Sequence, residues 1–391
     1  MKLSSRLDRI KPSATLAVEA RAKELRAAGV DVIGFGAGEP DFDTPAHIKD
    51  AAKRALDAGQ TKYTPVAGTK ELRDAVARWL SDAHGFSIAG GDVIVSCGAK
   101  HSLANLFLAL LDEGDEVVIP APYWVSYPDL VAMAGGKPVI ALARAEDGFL
   151  LRADALARAI TPRTRALVLC SPSNPTGAVY TQADLEPIAR LCVERDVLMI
   201  SDDIYRTLCY GVTPGHVARC GEEARSRTIL VDGVSKAYAM TGFRIGFCAG
   251  PRKLVTAMET IQSQSTSNPT SIAQAAALEA ITGPQDSVGE MRAAFDARRR
   301  RMGELLRAIP GVSLVEPRGA FYAFPDVSAI TPDDLALTRV LLDEHRVAVV
   351  PGTPFGAPGH VRLSYATSME KIEEGLGRLR AGLEAIRATR A

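Results

Sequence analysis

Lys236 stands in DGVSKAYAMTGFRIG, shortly after the apolar run TILVD and with few other charges near it. Desolvation disfavours an ammonium, so a lysine in such surroundings has its pKa lowered. The neutral amine attacks carbonyls and forms a Schiff base. A surface lysine at a strand end would read the same from this stretch alone. Arg244 opens a second apolar run, RIGFCAG. A buried guanidinium needs an anion, either a structural carboxylate or a ligand phosphate. With Ser235 beside Lys236, the group points to a carbonyl-bearing, phosphorylated small molecule.

Asp202 follows the apolar run VLMIS in SDDIY. A carboxylate there is costly unless a cation or donors meet it. One fitting cation is a protonated pyridine nitrogen, and holding that charge makes the ring a sink for electrons. Capping a helix is the plainer role for Asp202 and its neighbour Asp203. Asn174 lies in SPSNPTG after the run ALVLC, where it could donate to a ligand or shape an Asx turn. Gly98 and Ala99, in CGAKH, precede a helical pattern, and small residues there let backbone N–H groups approach a phosphate. GFGAGEP has GxGxG spacing followed by Pro40 and is not a dinucleotide fingerprint. Neither a Walker motif nor a GxSxG elbow is present.

These residues need elements to hold them. DVIVS (92–96), EVVIP (116–120), PVIAL (138–142), ALVLC (166–170), VLMIS (197–201), TILVD (228–232) and RIGFCAG (244–250) read as buried strands. Helical spacing recurs between them at 99–112, 123–134, 181–195 and 251–265. That alternation predicts an α/β fold with a mainly parallel sheet covered on both faces. From 286 the pattern becomes α+β: a long helix to 308, strands at 312–315 and 320–324, a helix at 331–344, strands at 347–350 and 360–364, and a terminal helix at 368–388. The division expected is an N-terminal arm over 1–45, a large domain over 46–285 and a small domain over 286–391. The arm carries one helix near 14–28 and is too short for its own core. It must pack on the C-terminal module or on a partner subunit. The run Arg298–Arg301 reads as a solvated helix face interleaved with Glu290 and Glu304.

Composition bounds the rest. The 391 residues carry 46 basic and 46 acidic side chains, a balance that argues against nucleic acid as partner. No apolar run approaches a membrane span, and the N-terminus has no secretory h-region, so a cytoplasmic protein is expected. The six cysteines contain no CxxC and read as reduced thiols. The six histidines form no HxxxH pair, and no metal is expected; spacing says nothing about a site assembled across the fold.

Taken in order, GEPDFDTP, KYTPVAGTKELR, GAK, PYWVSYP, SPSNPTGAVY, SDDIY, SKAYAMTGFRIG, PGTPFG and VRLSYA resemble the class I/II, fold-type I pyridoxal-phosphate aminotransferases. The likeness runs from KPSAT to VRLSYATS and is strongest to the bacterial Iβ aspartate aminotransferases, some of which also aminate prephenate. It implies the fold-type I transferase architecture, with a seven-stranded large domain and a smaller α+β domain. Lys236 then resembles the Schiff-base lysine, which also shuttles the proton. Asp202 resembles the partner of the pyridine nitrogen, Tyr205 and Asn174 the donors to the ring oxygen O3′, and Trp124 the stacking residue. Gly98, Ala99 and Lys100, with Ser235 and Arg244, would hold the phosphate. Tyr63 resembles the tyrosine that reaches the neighbouring subunit's phosphate, which implies a homodimer with shared sites. Arg362 resembles the clamp on the substrate α-carboxylate, beside the close backbone approach of Gly38. Lys100 would meet a distal carboxylate, and Lys11 occupies the position linked with prephenate.

The implied activity is transamination between aspartate or glutamate and 2-oxo acids, with prephenate as a further acceptor. A transaminase of aromatic or other neutral amino acids, or a C–S β-lyase, would use the same cofactor motifs. Three departures from the family pattern stand out: His101 in CGAKH, Phe243 and Phe247 in TGFRIGF, and Asp203 in SDDIY. The first lies nearest the side-chain pocket and bears on specificity more than on chemistry.

Overall fold

The structure is a computed structural model that describes residues 1–10, 12 and 14–390; of 14–16, 389 and 390 it describes the backbone alone. Lys11 lies outside the described residues.

All seven apolar runs of the central region form strands of one sheet: β1 (Val93–Ser96), β2 (Glu116–Ala121), β3 (Lys137–Leu142), β4 (Thr164–Cys170), β5 (Leu198–Asp202), β6 (Thr228–Gly233) and β7 (Gly246–Ala249). Their spatial order is β1-β7-β6-β5-β4-β2-β3. Only β7 runs against its neighbours, β6 and β1. Successive residues of one strand feed different cores, because side chains alternate across a sheet. Val93 and Val95 pack with Leu72, Val76 and Leu80, whereas Ile94 packs with Leu103, Leu106 and Phe107. Leu167 and Leu169 meet Leu185 and Ile188, whereas Val168 joins the core of Ile94. Burial on both faces is why these strands read as continuous apolar runs.

A smaller module forms beside it. Val350–Pro351, Val361–Ser364 and Tyr322–Ala323 make an antiparallel sheet, and Val347–Ala348 pairs in parallel with Ile33–Gly34. The long helices Asp286–Arg307 and Met369–Arg390 contribute Phe295, Leu306, Leu376 and Leu379 to one core with Phe321 and Leu363. The N-terminal segment is thus shared: Val18, Leu25, Val32, Ile33 and Phe35 pack on the C-terminal module, whereas Ser5–Arg9 lies against the larger module, with Arg9 Nη1 donating to Glu113 at 3.2 Å.

Three expectations for this module differ from what forms. Residues 312–315 make no strand, only an isolated bridge between Ser313 and Asp326, for want of a continuous neighbour. The strand read at 347–350 breaks at Val349, because its two halves pair with different partners, Ile33–Gly34 and Val361–Arg362. The arginine run differs too. Arg298 and Arg299 are only 15% and 12% exposed and bind Asp41, Asp296 and Glu316, whereas Arg301 meets Glu304 and Glu373 at the surface. All six cysteines are unpaired, with Cys192 and Cys248 buried.

Candidate active site

The sequence-selected residues converge because of where they leave the sheet. Asp202 ends β5, Lys236 follows β6, Asn174 follows β4, Trp124 follows β2, and Gly98 follows β1. Carboxyl ends of parallel strands open on one crevice, the usual ligand site of such sheets. Antiparallel β7 brings in Arg244 by its start instead, with Gly246 in register with Gly233. From the smaller module come Arg362, on Val361–Ser364, and Gly38, beyond Ile33–Gly34. The result is a cavity of about 490 Å³ lined by Gly38, Ala99, Lys100, Trp124, Asn174, Asp202, Tyr205, Ser235, Lys236, Arg244 and Arg362.

Gly98 sits at the rim with φ +90°, a region that favours glycine. A Cβ there would come within 2.5 Å of Arg244 Nη2. Likewise, a Cβ on Gly246 would meet Ala99 N at 2.1 Å. Both glycines therefore let β7 and Arg244 press against the start of the helix Ala99–Leu110, whose first N–H groups have no partners of their own in the helix. Arg244 Nη1 donates to Thr241 O at 2.8 Å, which fixes the arm. Lys100 Nζ lies 4.9 Å from the Trp124 ring centroid.

Three charges in the cavity are incompletely matched. Asp202 is 4% exposed and has no ion pair among the described residues. Tyr127 donates its hydroxyl to Asp202 Oδ2 at 2.5 Å, and Ile204 N donates to Oδ1 at 3.3 Å. Burial still pushes the carboxyl up to about 6, against the two donors and the weaker pull of the Lys236 amine. Arg362 is 2% exposed. Its Nη1 donates to Asn174 Oδ1 at 3.0 Å and its Nη2 to Gly36 O at 2.9 Å, but Nε has no partner and no carboxylate pairs with it among the described residues. Lys236 Nζ donates to Gly38 O at 2.6 Å, and desolvation, against the pull of Glu39, lowers the amine to about 8. A small molecule with an anionic end, a carboxylate and a protonated ring nitrogen would complete this set.

The profile of the family "Aminotransferase class I and II" matches residues 30–379. The chain belongs to the class I and II aminotransferases. The aminotransferase is 47% identical to an aspartate aminotransferase of Geobacillus stearothermophilus, over 98% of this chain and all of that protein. It is 50% identical to an aspartate/prephenate aminotransferase of Thermus thermophilus, over 96% and 97% of the two. Its fold matches a Thermus thermophilus aspartate aminotransferase solved with maleate at a TM-score of 0.95, with 48% identity over 98% of this chain and all of the other. The aminotransferase is pyridoxal-phosphate dependent. The residues present fit that group: a helix start flanked by Ser235 and Arg244 suits the phosphate, the buried Asp202 the ring nitrogen, and the Lys236 amine the aldehyde carbon.

Two of the selected residues stand apart. Tyr63 does not line the cavity and is 89% exposed. Lys11 falls outside the described residues. Sequence reasoning also missed side chains that the aminotransferase fold brings in. Tyr127 lies inside PYWVSYP, but nothing in that string reveals that its hydroxyl reaches Asp202. Tyr322 lines the cavity from GAFYAF, where it reads as an ordinary strand aromatic. Asp203 caps no helix; Ser201 Oγ donates to it at 2.8 Å and His216 Nε2 lies 3.1 Å away. His84 completes a buried His84–Asp203–His216 cluster assembled across the fold. His216 Nδ1 accepts from Ala218 N at 3.1 Å, so Nε2 carries its proton toward Asp203 and offers no lone pair to a cation.

Proposed function

We propose that the chain is an aspartate aminotransferase, exchanging the amino group of aspartate or glutamate with oxaloacetate or 2-oxoglutarate in a ping-pong cycle. The observation that carries the chemistry is one cavity holding a buried Arg362 and a buried Asp202, neither in an ion pair among the described residues, together with the Lys236 amine. Lys100 and the names of the similar proteins support the dicarboxylate class.

Bound pyridoxal 5′-phosphate supplies a carbon that bonds the amino nitrogen and a ring that takes up the electron pair left when a Cα–H bond breaks. The chain's residues do the rest. Backbone N–H groups of Gly98, Ala99 and Lys100, with Ser235 and Arg244, would hold the phosphate. Asp202 would keep the ring nitrogen protonated, Tyr205 and Asn174 would serve O3′, and the flat Trp124 would hold the ring. Arg362, aided by the open backbone at Gly38, takes the α-carboxylate in a two-pronged contact. Lys236 Nζ receives the Cα proton and hands it on; an amine near 8 is suited to that exchange at neutral pH.

Other parts of the proposal reach beyond the cavity. A homodimer would give the exposed Tyr63 a phosphate to meet in the partner's site. Lys11 and the aspartate/prephenate names of relatives favour prephenate as a further acceptor. The division into an arm over 1–45 that forms part of the small domain, a large domain over 46–285 and a small domain over 286–391 is supported by the pairing of Ile33–Gly34 with Val347–Ala348. Among the described residues no helix is long and apolar enough to cross a membrane, and a cytoplasmic site belongs to the same reading.

The test is a half-reaction. Loaded protein is mixed separately with aspartate, glutamate, arogenate, phenylalanine and alanine without acceptor, and cofactor absorbance and 2-oxo acid are followed. Aspartate and glutamate should convert fastest, with arogenate reporting the prephenate activity. Conversion by phenylalanine or alanine alone would overturn the role of Lys100. Pyruvate release from cystathionine without transamination would replace the proposal by the C–S β-lyase reading.

A further inference from the structure

We propose that Tyr322 is a positioning residue that links the carboxylate clamp to the O3′ side of the cofactor; this rests on the aminotransferase reading above. Tyr322 is 1% exposed and sits on Tyr322–Ala323, in register with Ser364 and so beside the strand that carries Arg362. Its two ends do different work. The ring face lies under the guanidinium, with Arg362 Cζ 4.4 Å from the ring centroid, a cation–π distance in a dry site. The hydroxyl lies 2.9 Å from the Tyr205 hydroxyl.

A phenol has one proton to give, so the direction of donation within this pair decides what Tyr205 offers the cavity. The closer guanidinium makes Tyr322 the more acidic of the two phenols and hence the better donor. Arg362 is the main influence lowering the Tyr322 pKa against burial, but the least of those acting on Tyr205. Tyr322 therefore donates to Tyr205, and the Tyr205 proton is left to point at a cofactor oxygen. A carboxylate on Arg362 offsets the positive charge and weakens that donation. Occupancy of the clamp is thereby passed to the group that faces O3′.

Tyr322→Phe keeps the ring and removes the hydroxyl. In the loaded protein the pH midpoint of the cofactor absorbance should move by about 0.5–1 unit, the scale of one lost hydrogen bond. The further shift of that midpoint on adding succinate, a dicarboxylate without an amino group, should shrink. KM for aspartate should change less than threefold, because the ring still supports Arg362. Tyr322→Leu removes the ring as well, and should raise KM for aspartate and glutamate alike, roughly tenfold, with kcat less affected. Tyr205→Phe checks the pairing: adding Tyr322→Phe to it should produce no further midpoint shift. An unchanged midpoint in Tyr322→Phe, with or without succinate, overturns the proposal, as do independent shifts in the double variant. The absorbance titration needs no turnover, so it stands even if the wild type converts no amino acid, the outcome that would instead sink the aminotransferase reading.

Discussion

At the scale of the residue, the decisive groups are those whose charge the fold leaves incomplete. Lys236 is lowered to about 8 chiefly by burial, so half of it is free amine near that pH and the fraction rises most steeply there. The rate at which cofactor-free protein captures added pyridoxal phosphate should climb through about pH 8 and then level, as a stopped-flow pH series would record. Lys236→Ala should leave less than about a thousandth of the turnover, the upper range for a lost general base; full retained activity would refute its role. Arg362→Ala removes the buried cation, and KM should rise for every amino acid substrate alike. An effect confined to dicarboxylates, in steady-state comparison of aspartate with alanine, would contradict its assignment to the α-carboxylate. Lys236, Asp202 and Arg244 were legible in sequence because a charge beside an apolar run is costly and so conspicuous, whereas Arg362 was found only through the family resemblance of VRLSYA. Tyr127 and Tyr322 were not legible, since an aromatic in a strand or helix is equally at home in a core. Only the fold reveals that their hydroxyls meet Asp202 and Tyr205.

At the scale of the element, the site depends on how closely the antiparallel β7 approaches the helix that begins at Ala99. Gly98→Ala would combine a left-handed φ with a methyl pressed on Arg244. Stability should fall by about 1–3 kcal/mol, and the cofactor should be held more weakly because Arg244 is displaced. Urea unfolding and equilibrium titration with pyridoxal phosphate would check both, and unchanged cofactor affinity would show that Arg244 needs no such seat. The strands of the large sheet were readable because they are buried on both faces, which writes an uninterrupted apolar run. The small sheets were read less well. Their strands are two to four residues long, and Val347–Pro351 is shared between two partners, so pairing rather than local pattern sets their limits. The same holds for Asp203, read as a helix cap but held by His216, 13 residues away.

At the scale of the whole molecule, the buried cluster behind Asp202 links folding to acidity. His84 is 5% exposed and burial lowers it to about 3 from an ordinary 6.5. Between those values the unfolded chain binds the proton and the folded one does not, so this group's contribution is lost as pH falls from about 6.5 towards 3. Asp232 and Asp202, raised to about 7 and about 6 by burial, act in the opposite sense, since the folded state holds their protons longer. A variant isolates the histidine. Relative to wild type, His84→Gln should gain about 2 kcal/mol between pH 7.5 and pH 5 in denaturant unfolding. An equal difference at the two pH values would mean that His84 is not held neutral.

The parallel pairing of Ile33–Gly34 with Val347–Ala348 bears on how the chain is made. Ile33–Gly34 leaves the ribosome well before the strand it pairs with. At roughly 5–20 residues per second, the intervening 300 or so residues take about 15–60 s to emerge. During that interval the large sheet can close while the N-terminal segment, with Val32, Ile33 and Phe35 uncovered, waits for its seat. Those side chains are the natural target for a chaperone acting on the nascent protein.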